Sequence, residues 1–188
     1  MKNEQIRKIA GIGVFTAIVI ILQLLGSFIK FGPFSISLVL IPIVVGTALY
    51  GPSAGAFLGF IFSLVVLISG DAAAFLAISV PGTVLTVLAK GTLAGWLSGL
   101  VYKVFSSKPY PAAVMAAITC PFVNTGIFVL GCFLFFLPTV TAWGEALGFN
   151  STGAYIVFGM IGANFIFELL SNIILSPVIV RVINMGKK

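Results

Sequence analysis

The chain has 188 residues, 60% of them hydrophobic and only 7% charged, with a mean hydropathy of +1.25. That balance excludes a water-soluble globular domain of this size and describes an all-α polytopic membrane protein, one compact helical bundle without a separate soluble domain. The net charge of +6 does not point to a nucleic-acid partner, because the basic residues sit at the ends and in one short loop between apolar runs, as membrane orientation dictates.

Spanning the hydrocarbon takes about 20 helical residues, so length and breaks together define the elements. A basic lead of Lys2, Arg7 and Lys8 runs into a first helix at about 8–29, ended by Lys30 and Gly32-Pro33. It lacks a small-residue cleavage site and reads as a retained span. The charge-free run that follows, 31–70, is about 60 Å as one helix, twice the hydrocarbon core. It therefore turns back, and Tyr50-Gly51-Pro52 is the corner, since Pro52 suits a first helical turn. This gives a second helix at about 35–50, bent near Pro42, and a third at about 52–69.

Residues 70–81 are apolar but too short to cross, and they read as a loop dipping against the bundle. A fourth helix at about 82–105 leads through Lys103, Lys108, Pro109 and Pro111 to a fifth at about 111–137, with a kink expected at Pro121. Residues 138–153 form a second outer loop, and a sixth helix at about 154–183 finishes the bundle. Six spans put both termini on one side. With both in the cytoplasm, eight basic residues lie inside and Lys30 alone outside, which sets the orientation.

One charge breaks the apolar pattern. Lys90 lies inside the fourth helix, where a lysine at mid-membrane costs about 2.5–3.5 kcal/mol on insertion scales. Thr83, Thr86 and Lys90, spaced by three and four, share a face. Gly91, Gly95 and Gly99 recur every four residues on the same helix and permit close backbone approach. Gly51, Gly55, Gly59 and Ser63 form a similar small-residue run on the third helix, read as packing within the chain.

On the sixth helix Asn164, Glu168, Asn172 and Ser176 make a polar stripe, and polar groups at that depth face the interior, a cavity or a partner. Lys90 and Glu168 differ in depth by about 10 Å. Two readings stand: a structural Lys–Glu pair, or a pocket in which Lys90 binds an anionic or strongly polar solute with Asn164 nearby and Glu168 setting the charge balance. Asn124, next to Thr125, either faces the same cavity or caps backbone groups freed at Pro121. Trp143 is an interfacial anchor or part of a lid over a ligand. The phenylalanines read mostly as lipid contacts and packing. Cys120 and Cys132, twelve positions apart on one helix, cannot reach each other.

Histidine is absent, which removes histidine metal sites and Ser-His or Cys-His catalysis. No P-loop motif occurs, so the chain does not hydrolyse ATP through one. The acidic residues near the outer face, Asp71 and Glu145, are too sparse for a carboxylate-pair hydrolase. A binding protein with no cofactor is expected, and not an enzyme.

The six-helix size, the segment Ile41 to Gly59 and the Asn164…Glu168…Asn172 run together resemble the substrate-binding S components of energy-coupling factor (ECF) vitamin transporters, over nearly the whole chain. The resemblance implies a prokaryotic plasma-membrane subunit that captures a vitamin near the outer face, in a site built from the fourth to sixth helices and the outer loops. It also implies a transmembrane T subunit and two ATPase subunits as partners. The T subunit meets a small-residue face on the first helix, for which Gly13 and Ala17 are the nearest match to the usual Ala-x-x-x-Ala. Riboflavin-specific members carry an acid at the start of the second helix, and this chain has Ser35-Ile-Ser instead. Among family substrates the lysine favours a carboxylate such as pantothenate over cationic thiamine. The competing readings are a self-contained small transporter or channel, and a non-transporting membrane assembly protein.

Overall fold

A computed structural model describes residues 2–27, 30–31, 34–35 and 38–186. The Gly32-Pro33 break and the terminal Lys187-Lys188 lie outside the described residues. The described residues are predominantly helical, with a two-residue antiparallel pairing of Lys30–Phe31 with Phe34–Ser35 and short turns between helices.

Helix α1 (Lys2–Gly26) starts earlier than the apolar pattern alone indicates, and Arg7 and Lys8 lie exposed within it. Helix α2 (Leu40–Tyr50) begins five residues later than expected, so Pro42 falls in its first turn, where a missing N–H costs nothing. The corner at residues 50–52 is as anticipated. Gly51 takes φ 94°, a left-handed conformation suited to glycine, and Pro52 opens α3 (Pro52–Ile68).

The 70–81 segment contains one short helix, α4 (Ala73–Leu76), with Phe75 buried. Ser79 then caps α5 (Val80–Val104), its Oγ accepting from the Gly82 N–H at 3.2 Å, with Pro81 in the first turn. Helix α6 (Pro109–Phe135) runs as one helix through Pro121. Residues 138–153 are not a plain loop, because they include most of α7 (Leu137–Ala146), again opened by a proline in its first turn.

The final segment differs most from a single helix over 154–183. It comprises α8 (Thr152–Ala154), a π-helical stretch Tyr155–Ile161, α9 (Gly162–Ile174) and α10 (Ser176–Gly186). Thr152–Ile161 and Asn164–Ile174 meet at 49°. A wide π turn and the glycines at 159 and 162 let the axis change direction there.

Among the described residues three helices are long and apolar enough to cross a membrane, α1, α5 and α6, and a fourth results if the bent pair counts as one span. Helix α2, with 11 residues, reaches about 16 Å, roughly half the hydrocarbon thickness, and α3 is also short of a full span. Large apolar side chains cover the outward faces, including Ile9, Ile68, Leu85, Leu134 and Phe158, a surface fit for lipid.

Helices α3 and α5 are joined along their glycines. A Cβ at Gly59 would strike the Gly91 carbonyl oxygen, and one at Gly55 the Gly95 oxygen. Ser63 Oγ donates across the seam to the Val87 oxygen at 2.7 Å. The two small-residue runs are therefore each other's partners. They hold α5 against α3 and fix the rotation of α5, which points Lys90 inward. One apolar core gathers Leu40, Ile43, Leu58, Phe62 and the alanines of α6, and a second gathers Phe75, Cys132, Phe136, Tyr155 and Met160. Cys120 and Cys132 are free and buried.

Candidate functional site

A cavity lies between the two cores, since Phe62, Val66 and Val87 of the first and Phe75, Phe136 and Met160 of the second all line it. Its open space, mouth included, is about 860 Å³. The expected polar stripe of α5 is on its wall: Thr83, Thr86 and Lys90 all face it. Asn124 and Thr125 of α6 and Asn164 and Glu168 of α9 complete the polar part.

Lys90 is only partly buried, and its ammonium stands between two rings, 5.7 Å from the centroid of Phe62 and 5.7 Å from that of Phe128. Such contacts hold an ammonium with about 0.5–2 kcal/mol each, more as water is removed. Among the described residues no ion pair joins Lys90 to Glu168, although both line the cavity. Glu168 is 3% exposed, and its Oε1 accepts from Asn164 Nδ2 at 3.4 Å. Below it Asn172 Nδ2 donates to the Glu168 backbone oxygen at 2.8 Å, and Ser176 Oγ to the Asn172 oxygen at 2.9 Å. The lower part of the stripe, Asn172 in α9 and Ser176 at the start of α10, thus bonds to the backbone one turn before it, and the upper part faces the cavity.

Buried polar atoms normally find partners. Around this cavity Thr86 Oγ1, Asn124 Oδ1 and Asn164 Oδ1 are buried with no hydrogen-bond partner among the described residues. Thr83, by contrast, spends its hydroxyl on the Ser79 carbonyl at 2.7 Å and contributes shape only.

Two polar lining residues, Asp71 and Gln23, are not among the residues that the sequence pattern singles out for the site. Asp71, assigned only to an outer loop, reaches the cavity, and its Oδ2 accepts from Gln23 Nε2 at 2.7 Å, Ser27 Oγ at 2.5 Å and Ser69 Oγ at 3.0 Å. Gln23 itself is 3% exposed within α1. A buried glutamine on an otherwise apolar first helix was the available signal. Among the phenylalanines, Phe62, Phe75, Phe128, Phe136 and Phe165 also wall the cavity, while others such as Phe57, Phe133 and Phe158 lie exposed on the outward faces.

Trp143 does not line the cavity; its ring packs 5.8 Å from that of Phe75, which does. Phe75 also meets Phe128 and Phe136 edge to face, at 5.5 and 5.0 Å. The 70–79 segment thus contributes Asp71, Ala72 and Phe75 to the cavity wall, and α7 touches it through the Trp143 contact with Phe75. Gly13 and Ala17 lie elsewhere, on the exposed face of α1, and nothing stands within 4 Å of where a Cβ at Gly13 would be.

Neither curated proteins nor solved structures gave a match to the chain. A family model described as ECF transporter, substrate-specific component, matches residues 7–180, which is nearly the entire sequence. The chain therefore belongs to the family of substrate-specific components of ECF transporters.

Proposed function

We propose that the chain is the high-affinity, membrane-embedded binding subunit for uptake of a vitamin or related micronutrient. The observation that carries this reading is the Lys90 ammonium, set between two phenyl rings on the wall of a cavity and joined to no carboxylate among the described residues. A lysine retained at membrane depth with no ion pair among the described residues marks a functional site, here one for a solute. Lys90 meets a carboxylate or other electron-rich group, the feature that favours pantothenate. Thr86, Asn124 and Asn164 supply hydrogen bonds, Thr83 shapes the wall, Glu168 sets the charge balance, and Trp143 backs Phe75 of the aromatic wall.

In this reading the bundle is one domain that passes the membrane six times, with both termini in the cytoplasm of a prokaryotic cell. The short α2 and α3 form two of the passes together with the segments that flank them. A T subunit docks on α1 at Gly13 and Ala17, whose exposure leaves room for a close helix, and two ATPase subunits supply the energy.

The test is reconstitution in liposomes, preceded by mass spectrometry of small molecules that copurify with the chain in detergent. The expected result is one retained molecule, transported only when the T and ATPase subunits and ATP are present. Uptake of that molecule by the chain alone would support a self-contained transporter and contradict the proposal.

A further inference from the structure

We infer that the cavity opens by a swing of α7 together with α8, about a pivot in the π-helical stretch Tyr155–Ile161, while the 70–79 segment stays in place. This motion deepens the binding-subunit reading, on which its purpose rests, by naming the element that admits the solute.

A segment moves as a body when it has a pivot at each end and is tied to itself more firmly than to its surroundings. The first pivot lies between α6 and α7. Phe136 leaves the helical conformation there, at φ −126° and ψ 4°, and Pro138, without an N–H, cannot carry the hydrogen-bond ladder of α6 across the joint. The second pivot lies in the last segment, where Thr152–Ile161 and Asn164–Ile174 meet at 49°. A π turn is a local departure from the α step and recurs where a helix changes direction. Gly162 permits this one, since a Cβ there would stand 2.7 Å from the Val157 carbonyl oxygen, five residues back, at the acceptor position of a π step.

Between the pivots the segment binds itself. The Thr141 and Thr152 hydroxyls are 2.8 Å apart, and the Phe149 N–H donates to the Gly144 oxygen at 2.9 Å. The Tyr155 ring sits on Gly144 and packs 5.3 Å from that of Phe149. Toward the rest of the bundle the segment presents side chains that slide: Trp143 on Phe75, with Val140, Ile156 and Met160 in the second apolar core. The 70–79 segment is fixed differently, because Gln23, Ser27 and Ser69 hold Asp71 through directional hydrogen bonds to α1 and the end of α3. Of the two segments, the one that includes α7 and α8 is therefore free to swing.

The swing reaches the cavity directly. Met160 and Ile161 line it before the bend, and Asn164 and Phe165 line it after the bend. A change of angle there parts one stretch of wall from the next.

The test is spin-label distance measurement on the detergent-solubilised chain, stripped of copurifying molecules, in a Cys120→Ala, Cys132→Ala background. One label at Lys103→Cys, in the last turn of α5, is paired with a second at Glu145→Cys on α7, Ala74→Cys in the 70–79 segment or Ile166→Cys on α9, all exposed positions. The Glu145 pair should give two populations, and the Ala74 and Ile166 pairs one each. A single narrow distance at Glu145, or a spread at Ala74 or Ile166 as wide as that at Glu145, overturns the inference. Since no solute takes part, that result leaves the binding subunit intact. The unmodified chain gives a second reading. Cys132 shares a core with Val140 and Tyr155 of the swinging segment, and Cys120 lies in the other core, both fully buried. N-ethylmaleimide should modify Cys132 at least about tenfold faster than Cys120, and equal rates overturn the inference.

Discussion

Gln23 in the first helix donates its side-chain N–H to Asp71, 48 positions later, at 2.7 Å. With Ser27 and Ser69 on the same carboxylate oxygen, this bond ties α1 to a segment of the cavity wall. Asp71→Ala leaves the Gln23 amide without its acceptor, while the Ser27 and Ser69 hydroxyls keep the backbone oxygens of Gln23 and Val66, and an unmatched buried group costs about 1–3 kcal/mol. Hydrogen exchange is expected to rise in residues 70–79 while residues 80–104 stay protected. Unchanged exchange in 70–79 would show that the carboxylate does not hold this segment.

The α3–α5 seam makes a sharper stability prediction. Gly91→Val drives a side chain into Ser63 Oγ and the Gly59 carbonyl, a collision with backbone that repacking cannot relieve. Overpacking of this kind costs about 1–3 kcal/mol or more, so detergent thermal unfolding should fall sharply or the folded yield collapse. Gly13→Val, into open space, should leave unfolding within about 0.5 kcal/mol of the parent while weakening co-purification with the T subunit. Equal damage from both changes would contradict the packing described.

Much of this was legible in the sequence, and the reasons differ by element. The corner at Gly51-Pro52, the glycine runs and the inward lysine were readable because each is local: a backbone preference, a four-residue spacing, a charge in apolar surroundings. The partnership of Gly55 with Gly95 and Gly59 with Gly91 needed the tertiary structure, since spacing reveals a close-packing face but not what it meets. The broken last helix was missed because the π stretch Tyr155–Ile161 is uniformly apolar and hydropathy does not register a change of hydrogen-bond step. Asp71 was missed for a related reason, because its value lies in donors brought from α1 and from the end of α3. Which phenylalanines wall the cavity was not legible, because a cavity-facing phenylalanine and a lipid-facing one look identical in a hydrophobic chain.

A pairwise test separates a structural role for Lys90 and Glu168 from a binding role. No ion pair joins them among the described residues, so the doubly swapped variant, Lys90→Glu with Glu168→Lys, should not recover all the stability lost by the two single changes. Partial coupling, short of full recovery, is expected in the thermodynamic cycle, because the two groups share one cavity without an ion pair. Full recovery would identify a structural pair and remove the case for a solute site.

The most direct measurement compares the parent chain and Lys90→Ala for the amount and affinity of the small molecule that copurifies, at equal quantities of inserted, folded protein. Lys90→Ala should insert normally, with affinity reduced by more than about tenfold, a loss above roughly 1.4 kcal/mol. Unchanged retention and affinity in Lys90→Ala would contradict a solute-binding Lys90, because the amine on the cavity wall would then hold nothing.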